Sequence, residues 1–127
     1  MIIKKVAAII VKNKKILLVT NKDQSFYWTP GGKIENKETS EEALKRELVE
    51  ELGVTITKAT PYFTYLSLIE EDNKLREVQC FFVDYIGEPI CSSEISKMIW
   101  FSKNDRSKLQ MGVKLHLIPK LLSDNLI

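Results

Sequence analysis

Residues that build soft-metal sites are scarce in this chain. Its 127 residues include two cysteines, Cys80 and Cys91, and a single histidine, His116. The cysteines form no CxxC pair, so a zinc site of thiolates and imidazoles is strongly disfavoured. Two isolated cysteines in apolar surroundings are typical of reduced core residues in a cytosolic protein, and we therefore expect a cytoplasmic location.

Long apolar runs and a strong net charge are also lacking. The N-terminal segment KKVAAIIVKNKK contains an apolar run far too short to span a bilayer, and it lacks the hydrophobic length and cleavage site of a signal peptide. The net charge of +2 is too small to favour a membrane or a nucleic acid as partner. We expect neither of these partners, whereas a homodimer is compatible with the sequence.

Apolar residues make up 44% of the chain, enough to build the core of one domain over residues 1–127. Short segments rich in β-branched and aromatic residues predict strands. These segments are residues 6–11, 15–20, 60–69, 77–86 and 98–101. Residues 23–32, DQSFYWTPGG, are predicted to form a loop because Pro30 cannot continue a ladder, and residues 70–75 a hairpin connection.

Two helices are predicted between and after these strands. The first starts at Thr39, where Glu42 completes a capping box, and ends at Gly53, which suits a left-handed C-terminal conformation. The second covers residues 112–122, and Pro119 either kinks it or starts its last turn. Strands and helices mixed within one domain predict a layered α/β or α+β fold.

The first predicted helix concentrates carboxylates on one side. At about 100° per residue, Glu47, Glu50 and Glu51 share an arc with Arg46, and the small Ala43 in that arc would leave room for a ligand. Three carboxylates facing one volume suit a hard cation with oxygen ligands, such as Mg²⁺ or Mn²⁺. The competing interpretation is a solvated acidic face, which is common on surface helices.

The spacing over residues 32–54 separates these two interpretations. The pattern is Gly32, five residues, Glu38, seven residues, Arg46-Glu47-Leu48, one residue, Glu50-Glu51, one residue and Gly53-Val54. At ordinary amino-acid usage, a chance match at one starting point is on the order of 10⁻⁹. The pattern resembles the Nudix box, and the preceding WTPGGKIE is similar to the usual approach to that box. The chain therefore resembles the small, MutT-like members of the Nudix hydrolase family.

The resemblance implies an α/β/α sandwich around a mixed β-sheet. It also implies metal-dependent hydrolysis of a nucleoside diphosphate linked to another group X. By the same resemblance, Glu47 is the base or a metal-bridging carboxylate, and Glu50 and Glu51 are further ligands of Mg²⁺ or Mn²⁺. The backbone carbonyl of Gly31 is expected to complete the inner shell of the ion.

Further roles follow from the same resemblance. Arg46 and Glu38 are expected to form an ion pair that fixes the glycine-rich segment and orients the base, with an ordinary surface pair as the alternative. Lys22 and Lys33 are expected to bind substrate phosphates, with simple exposure as the alternative. Small family members often supply another metal ligand from a loop before a late Trp-containing strand. Glu94 occupies that position here, and a solvated loop residue is the alternative.

The substrate is left open among several classes of nucleotide. A nucleoside triphosphate, normal or modified, is the leading expectation because the sequence motifs of other branches of the family are missing. The ADP-ribose branch tends to carry a proline beyond the box, where Leu68 stands, and enzymes acting on 8-oxo-dGTP place a base-reading Asn near Met111–Val113. The alternatives are hydrolysis of RNA 5′-triphosphate ends and a non-catalytic nucleotide sensor, although no carboxylate of the box is lost.

Overall fold

The computed structural model describes residues 2–23, 25–69 and 72–127, apart from the side chain of Ile69. Its strands are β1 (Ile2–Ile9), β2 (Val11–Lys12), β3 (Lys15–Thr20), β4 (Gly31–Lys33), β5 (Thr55–Ile69), β6 (Lys74–Ile86) and β7 (Lys97–Phe101). Its helical elements are α1 (Ser40–Leu52), a π-helical turn (Val113–Leu117) and α2 (Ile118–Ser123). Residue 24 of the predicted loop and residues 70 and 71 of the predicted hairpin connection lie outside the described residues.

Within the described residues, the strands form two sheets. The first sheet is mixed and has the order β4-β1-β6-β5, with β1 parallel to β6 and the other neighbours antiparallel. The second sheet is antiparallel and has the order β2-β3-β7. The short strand β4 lies at the edge of the mixed sheet, where Gly31 and Gly32 pair with Ala7 and Val6 of β1.

A hydrophobic core lies on each face of these sheets, because β1 and β3 direct alternate residues to opposite sides. The core under α1 contains Val6, Ala8, Leu17, Val19, Leu44, Leu48 and Leu52. The core under the π-helical turn and α2 contains Ala7, Ile9, Ile16, Leu18, Val113, Leu117 and Leu121. The helices therefore cover opposite faces of the strands, and the predicted α/β/α sandwich around a mixed sheet is confirmed.

The ends of α1 are confirmed as predicted. The Thr39 hydroxyl accepts the Glu42 N–H at 3.1 Å, and the Glu42 carboxylate accepts the Thr39 N–H at 2.9 Å. Gly53 closes the helix in a left-handed conformation with φ 66°. Both ends of the helix that carries the acidic residues are therefore defined by local hydrogen bonds.

Residues 23–32 are not entirely loop, contrary to the prediction from Pro30. The last two residues of this segment belong to β4, and the Pro30 carbonyl accepts the Ala8 N–H at 2.9 Å. Proline lacks only the donor, so its carbonyl still takes part in strand pairing. Gly31 has φ 139°, and a Cβ there would lie 2.1 Å from the Val6 carbonyl oxygen, so this edge strand requires glycine.

Other local predictions need correction as well. β1 starts at Ile2 instead of residue 6, and β5 starts at Thr55 instead of residue 60, because the ladders with β6 continue through polar residues. Ala43 is fully buried in the core under α1, so it does not provide the room for a ligand that its small size suggested. Cys80 is buried as expected, whereas Cys91 is only partly buried.

The closing helical segment changes its hydrogen-bond pattern next to Pro119. The Ile118 N–H bonds to the Val113 carbonyl, five residues back, and Pro119 lies in the first turn of α2. Because proline has no N–H to continue an α-helical ladder, the preceding turn is wider and α2 restarts there. Neither this segment nor another described helix is long and apolar enough to cross a membrane.

Candidate active site

Glu51 is a buried carboxylate at the junction of α1 and β4. Only 9% of the residue is exposed, and its Oε1 accepts the Gly31 N–H at 3.0 Å. Burial raises the pKa of Glu51 to about 8, and the negative charges of Glu47 and Glu94 act in the same direction. The Gly31 hydrogen bond and the Lys5 charge oppose this shift. A bound cation would relieve the repulsion at such a carboxylate.

Glu47 lies one turn earlier on α1 and faces the next glycine of β4. A Cβ on Gly32 would lie 2.5 Å from Glu47 Oε1, so the glycine lets the carboxylate rest directly against the backbone. The Glu47 side chain is 14% exposed. Burial raises the pKa of Glu47, although the hydrogen bond from Arg46 opposes the shift. A raised pKa strengthens a carboxylate as a base at neutral pH.

Arg46 connects α1 to the segment that follows β4. Its guanidinium donates to Glu38 with Nε at 2.6 Å and with Nη2 at 2.9 Å, and Nη2 also donates to the Lys33 carbonyl at 3.1 Å. Nη1 donates to Glu47 Oε1 at 2.9 Å. These bonds from Arg46 lower the pKa of Glu38 to about 2. The predicted contact between Arg46 and Glu38 is therefore present and is joined directly to Glu47.

Oxygen donors for a divalent cation surround the junction of α1 and β4. Glu47, Glu50 and Glu51 come from α1, Gly31 from β4 and Glu94 from the loop before β7. An oxygen-only donor set suits Mg²⁺ or Mn²⁺. In the part of the chain that the structure describes, no three acidic, histidine or cysteine side chains converge as a complete metal-binding cluster. The type of their donor atoms nevertheless suits Mg²⁺ or Mn²⁺.

The helix carboxylates differ from the prediction that they face one volume. Glu51 turns to the Gly31 N–H, whereas Glu47 and Glu50 lie 2.9 Å and 3.6 Å from Nη1 of Arg46. The Glu50 side chain is 51% exposed, unlike the other two carboxylates. The guanidinium acts here as the counter-ion of Glu47 and Glu50, and the metal-ligand roles of all three carboxylates stay predictions.

Glu94 lies in the loop between β6 and β7, which is attached to the end of α1. The Ser92 N–H donates to the Glu51 carbonyl at 3.0 Å, and Ile95 is buried in the core under α1. Glu94 is exposed, yet its charge is close enough to raise the pKa of Glu51. Glu88 instead lines a separate crevice. The structure therefore brings Glu94 near the helix carboxylates, and its role as a ligand stays a prediction.

The two lysines predicted to bind phosphate have different surroundings. Lys33 ends β4 opposite Lys5, and its carbonyl accepts a hydrogen bond from Arg46 while its side chain is exposed. Lys22 is exposed in the turn after β3, and across the described residues its side chain makes no hydrogen bond or ion pair. Lys33 is thus connected to the site by its backbone, and phosphate binding by either lysine stays a prediction.

A cavity of about 190 Å³ borders Gly31 and Gly32 on the side covered by the π-helical turn. Polar and aromatic side chains from several elements line it, among them Lys5, Trp28, Tyr65, Ser67, Arg76 and Gln110. The backbone that contacts Glu47 and Glu51 on one side thus forms part of this cavity wall on the other. Such a concave site with few polar groups suits a small ligand.

Sequence reasoning missed the polar residues of this cavity. Lys5 and Arg76 each lie one position before a predicted strand, so neither was assigned to a sheet face. Extending the alternation of Ala7 and Ile9 back by two residues would have placed Lys5 on the same inner face. Gln110 precedes the closing helix, and its Oε1 accepts the Val113 N–H at 3.1 Å. No sequence pattern marked that residue.

A larger crevice of about 730 Å³ lies away from these residues. It is lined by side chains of β2, β3, β6 and β7 and the loop after β6, including Lys12, Tyr85 and Trp100. None of the predicted catalytic, phosphate-binding or metal-binding residues lines this crevice. Chemistry therefore favours the smaller cavity over this crevice, because the smaller cavity borders Gly31 and Gly32, which contact Glu51 and Glu47.

The chain is similar to several known proteins. The family model described as the NUDIX domain matches residues 2–118. An 8-oxo-dGTP diphosphatase from Buchnera aphidicola is 34% identical over 68 residues, which cover 53% of this chain and 54% of that protein. An ADP-ribose pyrophosphatase from Methanocaldococcus jannaschii is 34% identical over 109 residues, which cover 82% of this chain and 64% of that protein. The chain thus spans less than two thirds of either relative.

Solved structures show the same fold. A MutT NUDIX hydrolase from Burkholderia pseudomallei superimposes with a TM-score of 0.82 at 24% sequence identity. The match covers 93% of this chain and 97% of that structure. At this identity the likeness concerns the arrangement of strands and helices.

Proposed function

The chain belongs to the Nudix family, and from this premise we propose that it is a pyrophosphohydrolase acting on a nucleoside diphosphate linked to another group X. One observation carries the proposal. Glu47 and Glu51 lie against the two glycines of β4, and the same glycines border a cavity of about 190 Å³. A nucleotide with its nucleoside in the cavity would bring its phosphates to these carboxylates.

The proposed substrate is a nucleoside triphosphate, normal or modified, which yields a nucleoside monophosphate and pyrophosphate. Water adds to phosphorus, the phosphoanhydride P–O bond breaks, and pyrophosphate leaves with the electron pair of that bond. The relatives named for 8-oxo-dGTP and for ADP-ribose both act on phosphoanhydrides of nucleosides, which supports the reaction class. Because the second relative is named for ADP-ribose, this compound is the first to compare with the nucleoside triphosphates.

A divalent cation, Mg²⁺ or Mn²⁺, would be held by oxygens of Glu47, Glu50, Glu51 and Glu94 and by the Gly31 carbonyl. When bound, such an ion neutralises charge on the phosphate oxygens and lowers the pKa of water. Glu94 is exposed in a loop that is hydrogen-bonded to the end of α1, so it would supply its carboxylate from outside the helix.

The side chains have separate roles in this proposal. Glu47 takes the proton of the attacking water, which its raised pKa favours. Arg46 and Glu38 hold the Glu47 carboxylate in place through the hydrogen bonds described above. Lys33 and Lys22 bind the outer phosphates of the substrate. Arg46 and Glu38 thus contribute the correct placement of the base.

A product analysis tests the proposal. The protein is incubated with Mg²⁺ or Mn²⁺ and with nucleoside triphosphates, modified deoxynucleoside triphosphates, dinucleotides, ADP-ribose and triphosphorylated RNA, and the phosphate products are identified. Release of pyrophosphate with a monophosphate supports the leading substrate class. Binding without turnover across the panel would show a nucleotide sensor instead.

Replacement of Glu47 by Gln separates chemistry from folding. Glu47→Gln keeps the size of the side chain but removes the base, so we expect kcat to fall by about 10²-fold or more. The control is Glu41→Gln, because Glu41 is exposed on the first turn of α1 and should tolerate the change. Equal rates for the two variants would overturn the role of Glu47.

A further inference from the structure

Lys5 points into the cavity beside Gly31 and Gly32. On β1, Val6 belongs to the core under α1 and Ala7 to the opposite core, so Lys5 shares the face of Ala7. Its strand neighbours are Val78 on β6 and Lys33 on β4. The lining combines apolar residues such as Ala7, Val78 and Val113 with the polar Ser67 and Gln110. Among the described residues that line the cavity, none carries a carboxylate to balance the ammonium group.

The described residues place no counter-ion within bonding distance of this ammonium. Among residues 2–23, 25–69 and 72–127, the Lys5 side chain makes no hydrogen bond or ion pair. Burial lowers the pKa of Lys5, and the positive charges of Arg76 and Lys33 add to the effect, while Glu51 and Glu47 oppose it. A cation in such surroundings is costly unless an anion joins it.

The other cation of the cavity is already paired. Arg76 lies on the same sheet face as Lys5, two residues before Val78 on β6, and its guanidinium donates to Asp72 at 2.8 Å and 2.6 Å. This bidentate pair holds the Arg76 side chain, of which 13% is exposed. In the part of the chain that the structure describes, Lys5 is therefore the cavity cation whose side chain makes no hydrogen bond or ion pair.

The position of Lys5 defines the anion that it can bind. Lys5 lines the cavity beside Gly31 and Gly32, whose backbone contacts Glu51 and Glu47 on the other side. A nucleotide that enters the cavity with its nucleoside and extends its diphosphate toward α1 passes Lys5 at the phosphate attached to the sugar. A phosphate oxygen and an ammonium form a strong, charge-assisted hydrogen bond in a site of this kind.

We propose that Lys5 binds the phosphate attached to the nucleoside and thereby makes the cavity specific for nucleotides over nucleosides. This assignment rests on the proposed function, because it assumes that a nucleoside occupies the cavity. It concerns a phosphate different from those assigned to Lys33 and Lys22. Lys5 is thus a specificity-determining residue that acts without the divalent cation.

Calorimetry of nucleoside and nucleoside monophosphate binding tests this role. Adenosine, cytidine, guanosine and uridine are compared with their 5′-monophosphates in EDTA, so that a metal ion contributes nothing. For the base that binds, we expect the monophosphate to bind about tenfold more tightly than the nucleoside to the unchanged protein. Lys5→Met should bring the two affinities together, and Lys5→Arg should restore part of the difference.

Lys4→Met is the matched control. Lys4 is the neighbouring lysine on β1, and it is exposed on the opposite face of the strand. We expect Lys4→Met to keep the tenfold preference for the monophosphate. Lys5→Met should fold normally, because it removes a half-buried charge that makes no ion pair with the described residues.

The outcomes separate this inference from the proposed function. A preference for the monophosphate that survives in Lys5→Met overturns the phosphate role. Equal loss of nucleoside and monophosphate binding in Lys5→Met would also overturn it, since Lys5 would then contact the nucleoside. If the unchanged protein binds both forms equally, Lys5 binds no phosphate. If it binds neither form, the nucleotide site itself is wrong, and the assignment of Lys5 falls with it.

Discussion

Ionisation of Glu51 should destabilise the metal-free protein as the pH rises. In the unfolded chain the carboxyl loses its proton near the ordinary value of 4.5, whereas in the native protein burial raises its pKa to about 8. Between these values the unfolded state has lost a proton that the native state keeps. Unfolding therefore releases a proton, and a higher pH favours the unfolded state.

The size of this effect follows from the two pKa values. One pKa unit corresponds to about 1.4 kcal/mol, so the change from 4.5 to about 8 corresponds to as much as about 5 kcal/mol when Glu51 is fully ionised. Domains are typically stable by about 5 to 15 kcal/mol, so the loss should be easy to measure. Most of it should appear between pH 5 and 8.

Urea unfolding of the wild type and of Glu51→Gln measures this effect. Glutamine keeps the size of the side chain and an Oε1 that can accept the Gly31 N–H. We expect the two proteins to differ by less than about 1 kcal/mol at pH 5. At pH 9 in EDTA, Glu51→Gln should be more stable by about 3 to 5 kcal/mol. The difference between the two curves isolates Glu51 from other titrating groups.

A second measurement compares the stability of the two proteins with and without a divalent cation. At pH 9, added Mg²⁺ or Mn²⁺ should raise the free energy of unfolding of the wild type, because it binds the native carboxylates. The same addition should raise the free energy of unfolding of Glu51→Gln much less. Parallel stability curves for the two proteins from pH 5 to 9 would refute the reasoning. The pKa of Glu51 would then be the same in the folded and unfolded states of the wild type.

Three further substitutions test the surroundings of the carboxylates. Gly32→Ala places a Cβ 2.5 Å from Glu47 Oε1, so the flexible carboxylate must move, and kcat should fall by about 10²-fold with little loss of stability. Arg46→Ala removes the hydrogen bonds to the segment at residues 31–38, so turnover should fall and protease cleavage of that segment should become faster. Glu94→Gln should lower kcat or raise the Mg²⁺ requirement by about tenfold.

Each of these substitutions has its own comparison. Adding Gly32→Ala to Glu47→Gln should cost little more than Glu47→Gln alone, since both act on one carboxylate. For Arg46→Ala, unchanged activity with a stability change within about 1 kcal/mol would indicate an ordinary surface pair. Glu88→Gln is the control for Glu94→Gln, because Glu88 lines the separate crevice. Similar behaviour of these two variants would remove Glu94 from the site.

Much of the helix and its chemistry could be predicted from local sequence. The Thr39 cap, the Gly53 end and the spacing of Glu47 and Glu51 all follow from interactions within a few residues of α1. The strand pairing of Gly31 could not be predicted in this way, because it depends on the edge of β1 being open to a short partner. The proline before it suggested a loop instead.

The sequence by itself determined the family pattern, the ends of α1 and the type of cation that its carboxylates suit, because capping and helical spacing are local. Only the tertiary structure decided that Glu51 is buried while Glu50 is exposed, since the β4 segment covers one side of α1. Only the tertiary structure placed Lys5 in the cavity wall. That position results from the pairing of β1 with β6 and β4, which joins residues distant in the chain.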